Sequence, residues 1–325
     1  MTNATPQTLL DVYRTAALIK LVDEKIRSLL MSGEIALSYY SPRGQEIVAA
    51  ATAQSLQPED YVVTTYRGIH DQIAKGVPQR LLFAEYFGKA MGACKGKGGP
   101  MHVTHPESGV MLTTGVVGSG MPIANGLALA SVLRNENRVV ITNFGDGASN
   151  IGAFHEALNL ASLWKLPVIF LCQNNEYAEH TTYANGTSCA NVADRAAGYG
   201  IPGVTVDGND PEAMYSAAAE AISSARAGNG PTLLEAKTFR FMGHFFGDDG
   251  SYIEEQIMAD RMAKDPVPAL RARLVEDGHA DESALSAIED EATANIEDAL
   301  EFARNSDYPD VAELGRDVYA EEVLV

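Results

Sequence analysis

Two short segments hold the residue types from which a reactive site could be built. In "NFGDGASN" (143–150), Asp146 stands between Gly145 and Gly147, where an apolar run ends and an amphipathic one begins. In "CQNNEYAEH" (172–180), Asn174 and Asn175 close a second apolar run. A carboxylate, a neutral amide and nearby backbone carbonyls make an oxygen-rich site for a hard cation such as Mg²⁺. One carboxylate suffices if the ligand brings its own negative charge, as a diphosphate does. The glycines let backbone come close, and a helix start offers free N–H groups to an anion. A plainer use is also open: Asp146 or Asn150 as a helix cap, and the Asn pair as a turn.

These residues converge only if the elements before them are neighbours. "RVVITNF" reads as a strand, 151–164 as a helix and "PVIFLCQ" (167–173) as a second strand. That unit fits a right-handed parallel crossover. Residues 7–32 show helical periodicity, and Pro42-Arg43-Gly44 forms a turn into a second helix. "DYVVTTYR" (60–67), "GVTVDG" and "TLLEAKTFRF" read as further strands, with "PEAMYSAAAEAISSARA" as a helix between the last two. "IANGLALASVLR" reads as a buried helix, and the glycine-dense 94–122 as a long functional loop. The alternation predicts an α/β fold with a mostly parallel sheet and helices on both faces. The acidic stretch from about 253 to 325 reads as a helical C-terminal extension of one domain spanning 1–325. In such sheets ligands bind beyond the carboxyl ends of the strands, where Asp146 and the Asn pair lie.

Composition narrows the field. The 325 residues are 46% hydrophobic, enough for a large core. A net charge of −19 argues against nucleic acid and against an anionic membrane surface. No apolar run reaches the roughly 20 residues that span a bilayer. The N-terminal segment has no basic start followed by an apolar stretch, and Cys94, Cys172 and Cys189 are too few for a disulfide framework. A cytoplasmic globular protein is expected.

"GDG", a second apolar strand and then "NN", at this spacing, resembles the signature of thiamine-diphosphate enzymes. The likeness runs from about residue 10 to the C-terminus. It covers "RGQEIVAA", "VVTTYRG", "AKGV", "CKGKGGPMH", "GVVGSGMPIANG", "FGDGASNIGAFHEALNLASLWKLPVIFLCQNNEYAE", "VDGNDP", "GPTLLEAKTFRFMGH" and "KDPVPALRARL". Over this span the chain resembles the alpha subunit of the decarboxylating component of 2-oxo acid and acetoin dehydrogenase complexes. The resemblance implies thiamine diphosphate and Mg²⁺ as cofactors. Asp146, the Asn175 side chain and the Tyr177 carbonyl would then ligate the metal. Gly147, Ala148, Tyr66 and Arg67 would hold the diphosphate, and Gly115 and Val117 would meet the pyrimidine ring. His244 would stand at the mouth, donating to an anionic intermediate or moving protons. A beta subunit would supply an activating glutamate in an α2β2 assembly, Glu46 having no such role. The reaction would cleave acetoin or a small 2-oxo acid such as pyruvate, release acetaldehyde or carbon dioxide, and pass the acyl unit to a lipoyl acyltransferase.

Departures from the family pattern keep other readings in view. Ile69 in "RGIHDQ" replaces an expected histidine, with His70 beside it. Phe245 stands where phosphorylation-controlled relatives carry serine, and Phe245 and Phe246 are expected to crowd that region. A lipoyl-independent enzyme that makes or cleaves acyloins is one alternative. A non-catalytic scaffold is another, opposed by intact Asp146, Asn175 and His244. A nicotinamide dehydrogenase lacks its fingerprint. Cys94, His102 and His105 fit no standard zinc spacing, and "KGKGG" lacks the Lys-Ser/Thr ending of a P-loop. His155 is expected to serve packing.

Overall fold

The computed structural model describes residues 3–317. Its sheet strands are β1 (Tyr61–Thr65), β2 (Val110–Thr114), β3 (Val140–Gly145), β4 (Val168–Asn174), then, beyond the short hairpin β5 (Tyr177–Ala178) and β6 (Thr181–Thr182), β7 (Gly203–Asp207) and β8 (Thr232–Lys237). Six of them form one sheet in the order β2-β1-β3-β4-β8-β7, and every pairing is parallel. The helices are α1 (Pro6–Ser32), α2 (Glu46–Ala53), α3 (Ile69–Ala74), α4 (Gln79–Tyr86), α5 (Gly120–Leu133), α6 (Gly152–Leu163), α7 (Tyr183–Gly186), α8 (Pro211–Arg226), α9 (Glu255–Met262), α10 (Pro266–Glu276) and α11 (Glu282–Asn305).

Strand alternation splits the core between the two faces. Ile141, Ile169 and Leu171 point to the face covered by α1, α2, α8 and α10. Val140, Phe144, Val168, Phe170 and Cys172 point to the face covered by α5 and α6. Three helices start on one device: a capping residue whose side chain accepts from the first turn, then proline. These are Thr5-Pro6, Asp210-Pro211 and Asp265-Pro266. The acidic C-terminal stretch folds onto this body. Leu270, Leu274, Leu285 and Ile288 join the α1 face, and Ile296, Leu300 and Ala303 pack beside α4. No helix among the described residues is long and apolar enough to cross a membrane.

Three expectations need correction. The 94–122 stretch is not one loop: β2 crosses it and pairs with β1, a sheet edge too short and mixed to stand out among glycines. The strand expected over 232–241 stops at Lys237. The Thr238 hydroxyl donates to the Gly44 carbonyl, and the chain turns across the end of β4. The helix after "GSGMP" is buried on one face only. Ile123, Val132 and Leu133 are 41%, 46% and 73% exposed.

Candidate active site

The order in which strands are added reverses at β1, with β2 on one side and β3 on the other. Parallel sheets open a crevice at such a switch point. Here the carboxyl ends of β1 to β4 surround a cavity of about 440 Å³, a size that suits a small-molecule ligand. Its wall brings together Tyr66, Arg67, Gly115, Val117, Asp146, Gly147, Ala148, Asn175, Tyr177 and His244, the full set that the sequence nominated.

Asp146 opens a short 3-10 turn that follows β3, and it is 3% exposed. Among the described residues its carboxylate has no cation within ion-pair distance, and burial pushes it up to about 6. The turn lies tight against the β5 hairpin, and a Cβ on Gly147 would come within 2.6 Å of the Ala178 side chain. Gly145 has open space instead, so only one of the two glycines is required for close approach. The Asn pair divides its work. Asn174 turns away and donates to Glu235 at 2.7 Å. Asn175 faces the cavity, where its Oδ1 accepts from the Tyr177 N–H at 3.3 Å.

Two buried guanidiniums line the same cavity, also without carboxylate partners among the described residues. Arg67 donates to the carbonyls of Ser41 (2.6 Å) and His244 (3.0 Å). Burial lowers its pKa to about 10, which leaves it charged at neutral pH. Arg240, 1% exposed, donates to the carbonyls of Met242, Tyr177 and Glu179 and to the Tyr252 hydroxyl. Arg240 was not singled out in the sequence. An arginine inside "FRF" is its only signal there.

His244 lies in the loop beyond β8, half-buried among the rings of Tyr40 and Tyr66. Desolvation, then Arg67 and Arg240, pull its pKa down to about 4. Its Nδ1 faces Arg240 Nη1 at 3.5 Å, so the neutral ring accepts there and keeps Nε2–H as a donor. Without metal or cofactor, His244 is expected to titrate near pH 4. A proton-resonance titration that finds its midpoint at 6 or above would refute this. The sign follows from linkage: between about pH 6.5 and 4 the unfolded chain takes up a proton that the folded chain refuses. The stability due to this neutral ring is therefore present above pH 6.5 and declines toward pH 4.

Phe245 and Phe246 do not narrow the cavity. The Phe245 ring is 46% exposed, and Phe246 packs against the core beside α1. His70 lines the cavity floor, with Nε2 2.7 Å from Gln173 Oε1. Glu46 is buried against Arg43, which also binds Asp265, and this triad ties the turn before α2 to α10. Glu85 explains "CKGKGG": its buried carboxylate accepts from the N–H groups of Cys94, Gly96, Gly98 and Gly99 at 2.8–3.0 Å. The Cys94 sulfur accepts from the Thr104 N–H, and the His105 ring accepts from the Ser108 N–H. His155 is exposed, with its ring against Phe154 and its Nδ1 2.5 Å from the Tyr199 hydroxyl.

Comparison with known proteins agrees with this geometry. The family model described as "Dehydrogenase E1 component" matches residues 13–312. The alpha subunit of acetoin:2,6-dichlorophenolindophenol oxidoreductase from Bacillus subtilis is 40% identical, over 97% of this chain and 94% of its own length. The subunit of the same name from Cupriavidus necator is 41% identical, over 96% and 94%. The pyruvate dehydrogenase E1 component subunit alpha of Rhizobium meliloti is 37% identical, over 95% and 89%. A cavity lined by a buried carboxylate, unpaired among the described residues, and two buried guanidiniums is thus set in a chain that, over nearly its whole length, belongs to the dehydrogenase E1 component family.

Proposed function

We propose that the chain is the alpha subunit of a thiamine-diphosphate- and Mg²⁺-dependent dehydrogenase that cleaves acetoin or decarboxylates a 2-oxo acid such as pyruvate. One observation carries this reading. Among the described residues, a single cavity holds one buried carboxylate with no cation paired to it and two buried guanidiniums with no anion paired to them. Mg²⁺ with a diphosphate supplies both missing charges at once. Asp146, the Asn175 amide oxygen and the Tyr177 carbonyl would hold the metal. Gly147, Ala148, Tyr66, Arg67 and Arg240 would hold the diphosphate, and Gly115 and Val117 the ring at the far end. Bound thiamine diphosphate supplies the carbon nucleophile and electron sink of the reaction. Neutral His244 would donate from Nε2 to oxyanion character developing on the substrate. Two of the relatives described above are named for acetoin, which makes it the first substrate to try.

The cavity wall has two carboxylates, Asp146 and Glu179, and Glu46 lies outside it. The activating glutamate is assigned to a beta subunit, and an apolar surface beside the cavity fits such a partner. Val116, Val117 and Ile123 there are 66%, 51% and 41% exposed. Permanent interfaces are built from surface of this kind. The expected assembly is α2β2, with the acyl unit passing to a lipoyl acyltransferase. The unpaired cysteines fit a reducing compartment such as the cytoplasm.

The deciding experiment is calorimetric titration of thiamine diphosphate with Mg²⁺, into the chain alone and into its complex with the co-expressed partner. Mg²⁺-dependent binding followed by acetoin or pyruvate turnover supports the assignment. Absence of binding in both preparations refutes it and favours the scaffold reading. Turnover without any acyltransferase would favour the lipoyl-independent enzyme. Ile123→Asp should leave the chain folded by circular dichroism but reduce its co-purification with the partner at least tenfold. Undiminished co-purification would move the interface elsewhere.

A further inference from the structure

Between the β1 end and the cavity runs an unbroken file of buried polar side chains. Thr64 Oγ1 donates to Asp71 Oδ2 at 2.5 Å. Gln173 Nε2 donates to Asp71 Oδ1 at 3.2 Å and to Asn143 Oδ1 at 3.1 Å. Gln45 Nε2 donates to Gln173 Oε1 at 2.8 Å, and Asn175 Nδ2 donates to Gln45 Oε1 at 2.8 Å. Gln45, Asp71, Gln173 and Asn175 are each at most 7% exposed, so protein rather than water satisfies them.

An amide has a donor end and an acceptor end of nearly the same shape. Gln173, Gln45 and Asn175 could all be reversed together, and the bonds among them would survive. The direction has to come from a group that cannot donate. An ionised carboxylate is such a group, and Asp71 stands at the head of the file. It requires an NH₂ from Gln173, which turns Gln173 Oε1 to Gln45, Gln45 Oε1 to Asn175, and Asn175 Oδ1 out to the cavity. His70 Nε2 lies 2.7 Å from Gln173 Oε1 and, donating there, fits the same direction, although its Nδ1 lies 3.1 Å from the Arg67 carbonyl, which competes for the ring proton. The Tyr177 N–H reaches Asn175 Oδ1 only at 3.3 Å, a long bond to fix an amide alone.

We propose that Asp71 is a positioning residue which, through Gln173 and Gln45, fixes the Asn175 amide with its oxygen toward the cavity. The consequence is chemical, because an amide oxygen can ligate Mg²⁺ and an amide NH₂ has no lone pair to offer. This rests on the metal-binding role of Asn175 proposed above. It also gives "RGIHDQ", one of the segments noted above as departing from the family pattern, a task in this chain.

The test titrates Mg²⁺ into the complex of the chain with its partner at saturating thiamine diphosphate, with metal-free melting followed separately. Asp71→Asn offers Gln173 either an NH₂ or an oxygen, so the file loses its direction. Mg²⁺ affinity should fall about tenfold or more, the usual scale for support around a metal ligand. Gln45→Glu places an acceptor-only group directly beside Asn175 and should recover most of that loss in the double variant. Its added charge acts in both backgrounds, so the gain must be larger with Asp71→Asn than alone. A merely structural Asp71 would lower the melting temperature and show no such rescue. Unchanged Mg²⁺ affinity in Asp71→Asn, or a loss that Gln45→Glu leaves in place, overturns the relay. If Asp71→Asn does not fold, Gln45→Met removes the acceptor for Asn175 Nδ2 and should cost the same tenfold; unchanged affinity there also overturns it. Failure of the unaltered complex to bind Mg²⁺ is a separate result, which removes the metal reading and the relay with it.

Discussion

Asp146→Ala abolishes Mg²⁺-dependent binding of thiamine diphosphate, and with it turnover falls at least a thousandfold, while the metal-free chain melts no lower than before. The two halves of this expectation have one cause. The carboxylate is 3% exposed and has no ion-pair partner among the described residues, so the protein alone gains nothing from its charge. Its value appears only when a cation arrives. The raised pKa of about 6 adds a second readout on the unaltered chain. Below that pH the metal must displace a proton, so Mg²⁺ affinity should fall about tenfold for each further pH unit. A variant that still binds the cofactor with Mg²⁺, or an affinity flat between pH 7 and 5, would remove Asp146 from the metal site.

The second large effect is expected at Arg240. Arg240→Lys keeps the charge but loses the planar fork that reaches three carbonyls and the Tyr252 hydroxyl. Each lost bond to a charged donor costs about 1.5–3 kcal/mol, and the Tyr177 carbonyl is stranded in a buried position. The melting temperature should drop by several degrees, and cofactor affinity should fall tenfold or more because the hairpin carrying Tyr177 and Glu179 loosens. Arg240→Met should be worse on both counts, since the cation itself is lost. Calorimetry and thermal melting on the two variants separate the causes. If the lysine variant binds and melts normally, Arg240 acts by charge alone.

What the sequence made readable follows from where information is local. The strand–helix–strand unit around Asp146 announces itself, because β3 and β4 are largely apolar and end in polar residues with few other uses. The edge strand β2 is less legible, since its "VMLTT" sits between two glycine-rich segments and pairs with one neighbour only. The end of β8 is set by Thr238 reaching Gly44, nearly two hundred positions away in the chain, which no periodicity records. The nominated cavity residues came from motifs. Arg240, Gln45 and His70 did not, because their roles rest on partners brought in by other strands. Asn174 shows the remaining limit: two adjacent asparagines look alike in sequence, and only strand pleating decides that one meets Glu235 and the other the cavity.

The glycine-rich segment held by Glu85 has one more effect on an anionic ligand. Its amides resemble a phosphate cradle, but Glu85 already fills that cradle from within, and Lys95 and Lys97 are paired with Asp317. An incoming dianion therefore finds no free amide cradle there. Its strongest unmet attraction lies deeper, at Arg67 and Arg240, so the charged end of the molecule is drawn in first. The choice of which end leads is settled before any close contact forms.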